Sequence, residues 1–154
     1  MFGEVVLKVF LQGIVGTAVM TAVMYLIAYF TRDRFKVVKI LGTMLTLQTT
    51  PEKGLSDKPS AITVGLIAHY LVGIGFAAIY EQLWSQGIIS PNFINTTLLG
   101  LLNGIFGAIV WKVFISVHPN PPHIPLRSYL VAIIFGHVFF AYGISITHLV
   151  IHSY

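Results

Sequence analysis

The side chains best suited to chemistry in this sequence are histidines, and four of the six stand in two pairs. His69 and His137 each lie inside a long uncharged run. Two neutral imidazoles facing each other there could hold the iron of a b-type haem from its two sides. His148 and His152 are four residues apart, so on a helix both project from one face, as metal ligands on helices often do. Glu81 ends another apolar run and could add a carboxylate to complete a site for a divalent metal. Each pair also has a plainer reading. A histidine in a membrane helix often serves only to hydrogen-bond a neighbouring helix, and residues close to a C-terminus fray.

The chemistry that is missing narrows the field. There is no cysteine, which excludes disulfides, thiolate metal sites and cysteine nucleophiles. No glycine-rich loop leads into a lysine followed by serine or threonine. Ser145 and His148 are three apart, but no aspartate is placed to orient the histidine and no nucleophile elbow surrounds the serine. No carboxylate lies away from the ends of the apolar runs, where coupled transporters commonly carry one. The expectation is therefore a non-enzymatic binding, accessory or scaffold role. A b-type cytochrome-like electron-transfer protein is the sharper alternative, and a small oligomeric transporter or channel is a third.

Helices in a membrane must position these residues. Of 154 residues, 56% are hydrophobic and 9% charged, against about 25% charged in soluble domains. Four windows stand out, residues 9–30, 61–80, 93–111 and 129–151. Each has the roughly 20 apolar residues that a helix needs to cross a hydrocarbon core of about 30 Å. Unpaired backbone groups are not tolerated in lipid, and the alternating segments of a β-barrel are absent. Residues 1–154 thus read as a single all-α membrane domain, a polytopic four-helix bundle. The first window is too long for the apolar core of a secretory signal and reads as a retained span. The formal charge of +4 sits mainly in one connector and is no argument for nucleic acid.

That first connector holds Arg32, Arg34, Lys36, Lys39, Lys53 and Lys58. The third holds Arg127, with Lys112 at its edge, while the second, residues 85–92, has neither lysine nor arginine. Basic connectors stay in the cytoplasm, which predicts an inner (plasma) membrane protein with both termini on the outer side. Lipid is the first partner implied, with other membrane subunits or further copies of the chain as additional ones. Within the first connector, Val37, Val38, Leu41, Met44 and Leu45 recur at helical spacing, away from Lys36, Lys39, Thr43 and Thr46. A short amphipathic helix is predicted there, lying on the inner leaflet or tucked against the bundle end. The third connector, from His118 to Pro125, is proline-dense and reads as a stiff, solvated spacer. His118 and His123 flank it.

Span two, from His69 to Tyr80, and span four, from His137 to His148, share a pattern. Each opens on histidine, continues through small residues and ends in a ring eleven positions on. Spans one and three carry Gly13 and Gly16 against Gly100, Gly104 and Gly107. This predicts two copies of one helical hairpin in the same orientation, a parallel repeat of a kind found in membrane proteins. His69 and His137 then lie at matching depth. The glycine faces of spans one and three suit close helix packing or, in an oligomer, contact between copies.

Four stretches carry a family resemblance: Gly16-Thr17-Ala18-Val19-Met20-Thr21, Leu41-Gly42-Thr43-Met44-Leu45, His69-Tyr70-Leu71-Val72-Gly73 and Gly136-His137. In these the chain is similar to a group of small four-span bacterial integral-membrane proteins defined as a domain of unknown function. The resemblance implies the topology and assigns no residue a role.

Overall fold

The structure, a computed structural model, describes residues 2–31 and 36–153. Arg32, Arg34 and Phe35 of the first connector lie outside the described residues. Among the described residues five helices follow one another: α1 (Phe2–Thr31), α2 (Val37–Leu45), α3 (Pro59–Ser85), α4 (Phe93–Val117) and α5 (Leu126–His152). Four of them, α1, α3, α4 and α5, are long and apolar enough to cross a membrane. The protein is an all-helical, multi-pass membrane protein.

All four run beyond their apolar windows. At 1.5 Å per residue the 30 residues of α1 reach about 45 Å, the thickness of a bilayer with its headgroups. Helix continues because the stop signals stand further out than the last apolar residue. Pro59 opens α3, where its missing N–H is no loss. The Asn92 side chain caps α4 by accepting from the Asn95 N–H at 3.0 Å. Gly87, at φ +69°, ends α3, and the Gly87 and Ile88 N–H groups return to the carbonyls of Trp84 and Leu83 at 3.0 Å each.

The bundle has a definite order. α1 packs on both α3 and α5, α4 packs on α5, and α2 packs on α3. The glycines of α1 and α4 make these approaches possible. Added Cβ atoms at Gly13 and Gly100 would lie 2.6 Å from the Ile74 Cα and 2.7 Å from the Val138 Cα. Glycines of spans one and three therefore serve close packing within the chain.

The short helix of the first connector is tucked against the bundle. A Cβ at Gly42 would lie 1.9 Å from the Ala61 carbonyl oxygen, and one at Gly65 would lie 2.1 Å from that of Val38. Its inward face also differs from the periodicity. Thr43 is fully buried and accepts from the Ser56 N–H at 2.9 Å, while Leu45 is exposed. On the outward side Lys39 pairs with Asp57, whose carboxyl it holds below the ordinary value by that hydrogen bond and its charge.

The connector after α4 docks onto the first connector. His118 is buried and donates to the Met44 carbonyl at 2.9 Å, adding a second bond to a carbonyl at the end of α2 that also accepts from the Leu47 N–H. The Thr49 hydroxyl donates to the Asn120 carbonyl at 2.6 Å, and the His123 N–H donates to that of Lys53 at 2.8 Å. The reading of this segment as a solvated spacer thus fails at His118, because a polar partner waits for it beneath the loop. These bonds put the two basic connectors at one end of the bundle. At the other, the terminal end, Lys8 of α1 meets His152 of α5 at 3.3 Å.

Candidate functional site

The packing order leaves a gap. α1 stands against both α3 and α5, but α3 and α4 have no matching close approach among the described residues. They meet through side chains such as Phe76 and Phe106, whose rings are 6.4 Å apart. Below this contact lies a cavity of about 210 Å³. Its walls include Met20, Leu41, Val72, Phe76, Phe106, Val110, Trp111, Phe114 and Phe140, and both His69 and His137 line it. Val72 and Val110, among these walls, are 56% and 47% exposed, on the outer surface of their helices.

The two imidazoles sit at similar depth, roughly 15 to 17 Å along their helices at 1.5 Å per residue. Their hydrogen bonds define which nitrogen carries the proton. The Thr21 hydroxyl donates to the Thr17 carbonyl at 2.7 Å, so it can only accept from His69 Nε2, 3.0 Å away. His137 Nδ1 lies 2.8 Å from the Ile133 carbonyl, which accepts only, so this nitrogen donates. Each ring then keeps one lone pair, on His69 Nδ1 and His137 Nε2, with no partner among the described residues. On the α4 side, a Cβ at Gly107 would lie 3.3 Å from His137 Nε2.

The second constellation also assembles. One ligand atom from each of Glu81, His148 and His152 falls within 4.8 Å of the others. Glu81 Oε2 is 2.9 Å from His148 Nδ1, and His152 Nδ1 donates to the His148 carbonyl at 2.8 Å. The rings of His148 and His152 are 4.1 Å apart, and Trp84 covers His148 with its ring at 4.5 Å. Glu81 is 8% exposed despite standing near the end of α3.

Sequence reasoning missed the residues that α1 contributes. Gln12, wholly buried, donates from Nε2 to Glu81 Oε2 at 2.9 Å and lies 3.4 Å from His148 Nδ1. The available signal was a lone amide within an otherwise apolar window. Thr21 is the other omission, and its hydroxyl sits four residues beyond the buried Thr17 on the same helix.

The chain matches no family model, no curated protein and no solved structure. Fold and site together define a small membrane protein of four spans. The architecture is the part of the family resemblance that the structure carries.

Proposed function

We propose that this protein binds, within the bilayer, a small ring-bearing lipophile whose hydroxyl group donates to His137 Nε2, in a cavity that His69 also lines. One observation carries the reading: two histidines, each with one ring nitrogen given no donor among the described residues, line a single apolar cavity. A buried acceptor left without a donor costs about 1–3 kcal/mol, so a ligand hydroxyl gains more here than in plain hydrocarbon. Ionisable side chains at this depth ordinarily mark function. The ring-rich wall suits a flat or aromatic skeleton, and the exposed Val72 and Val110 favour entry from lipid. In this reading the protein is a non-enzymatic binding or accessory subunit that holds its ligand for another membrane protein or a second copy.

We also infer a bacterial inner-membrane location with the basic connectors inside and both termini outside, supported by Lys53, Lys58, Lys112 and Arg127. To test the binding reading, the protein would be extracted with its surrounding lipid and the organic extract examined by mass spectrometry. A hydroxyl-bearing lipophile enriched in wild type is expected to be lost in His137→Leu and in Val110→Trp, which fills the cleft. Equal recovery from all three would remove the reading.

Haem is the second reading, favoured by the same lone pairs, since an iron accepts two of them. His137 would ligate through Nε2 and His69 through Nδ1, with Gly107 giving way beside the ring. An absorption spectrum decides this. A Soret band lost in both His69→Ala and His137→Ala establishes haem, and a colourless preparation from haem-replete cells excludes it.

A further inference from the structure

We propose that Glu81, His148 and His152 bind a divalent transition-metal ion at the terminal end of the bundle, with Gln12 of α1 as the fourth ligand. The proposal is independent of the cavity between α3 and α4. Three donors from two helices already converge within 4.8 Å. Their chemistry, two imidazoles and a carboxylate, suits Zn²⁺ and its first-row neighbours.

The orientation of His152 is the one a ligand needs. Its Nδ1–H is held by the His148 carbonyl, so the lone pair is on Nε2. A backbone carbonyl on the non-ligating nitrogen is the usual device for fixing a metal-binding histidine. A cation already sits at that lone pair, for the Lys8 ammonium lies 3.3 Å from Nε2. Its flexible stem lets the ammonium swing outward to water when a metal ion takes the position.

Gln12 supplies the independent observation. Its side chain is wholly buried, yet Oε1 has no hydrogen-bond partner. Without an ion the amide must turn its NH₂ toward the Glu81 carboxylate, which strands the oxygen. With an ion between the groups, rotating the amide places Oε1 where Nε2 now stands, 2.9 Å from Glu81 Oε2 and 3.4 Å from His148 Nδ1. The oxygen then faces a cation and is satisfied. The ion also replaces the proton shared by Glu81 and His148, so binding releases a proton to solvent. The product is a four-donor site of two nitrogens and two oxygens joining α1, α3 and α5.

The test is titration of the purified full chain with Co²⁺ and Zn²⁺, read by metal analysis after dialysis and by the visible absorption of bound Co²⁺. One equivalent with an intense tetrahedral Co²⁺ band is expected in wild type. His148→Gln and His152→Gln should lose the band, and Gln12→Ala should weaken binding by about 10- to 100-fold. Lys8→Gln removes the competing ammonium and should tighten binding by about tenfold or more; it disturbs no ligand and remains decisive if a histidine variant fails to fold. Wild type that retains no ion overturns the proposal. So does retention unchanged in folded His152→Gln, or an affinity that Lys8→Gln leaves unmoved.

Discussion

Glu81 of α3 and His148 of α5 are held 2.9 Å apart, linking two helices that the chain otherwise joins through large side chains. Gln12 of α1 closes the group from the third side. The pair is mostly removed from solvent, with side-chain exposures of 12% for His148 and 11% for Glu81.

Removing both members should therefore cost less than the two single losses added together. Breaking a buried pair costs about 3–5 kcal/mol because the survivor is left uncompensated. We expect His148→Leu and Glu81→Leu each to lower stability by about 2–4 kcal/mol, and Glu81→Leu/His148→Leu to lower it by less than the sum. A double-mutant cycle on reversible unfolding in detergent measures the coupling. Additive effects would show that the pair contributes nothing as a pair.

The contact between α2 and α3 depends on two glycines. A Cβ at Gly42 or Gly65 would enter backbone atoms of the facing helix, and overpacking of this kind costs about 1–3 kcal/mol. Gly42→Ala and Gly65→Ala should loosen α2 and raise the rate at which Lys39 reacts with an amine reagent. A rate equal to wild type in both variants would contradict this account of the contact.

Two helix ends share one hydrogen-bond pattern but differ in the residue at its left-handed position. Gly87 stands there after α3, and Leu47 stands there after α2 at φ +56°. The left-handed conformation costs an ordinary residue about 1–2 kcal/mol. Leu47→Gly should thus be neutral or stabilising by up to about 1 kcal/mol, whereas Gly87→Leu should destabilise. Thermal unfolding of the two variants reads the opposite signs.

Because the chain has no cysteine, single-cysteine variants report topology cleanly. Ser90→Cys, between α3 and α4, should react with a membrane-impermeant maleimide from outside the cell. Asp57→Cys, beside the first connector's lysines, should react only after lysis. The reverse pattern would invert the orientation.

The spans were legible in the sequence because a helix in lipid needs little more than an uncharged run of sufficient length. The pairing of His148 with His152 was legible for a similar reason, since i, i+4 spacing is local. What escaped is what tertiary packing decides. Gln12 meets Glu81 across 69 residues of chain, and nothing in either neighbourhood encodes that meeting. Thr43 reads as polar and outward, but its hydroxyl is drawn inward by the Ser56 N–H. The hairpin repeat expected from the sequence puts His69 and His137 at similar depth, yet it implies symmetric packing. The cavity exists because α1 against α5 has no equivalent between α3 and α4.

The central claim is that an imidazole lone pair in this cavity recognises a hydroxyl. Trp111 lines the cavity and becomes the only tryptophan once Trp84 is replaced by phenylalanine. In that background, reconstituted protein would be titrated with a dialkylphenol and with its methyl ether, each scaled to its concentration in the lipid. Trp111 emission should respond to the phenol at concentrations about tenfold lower than to the ether, the value of one hydrogen bond of about 1.4 kcal/mol. The preference should vanish when His69 and His137 are both replaced by leucine. Equal response to phenol and ether in the histidine-bearing protein, or a preference that survives loss of both histidines, would contradict the account.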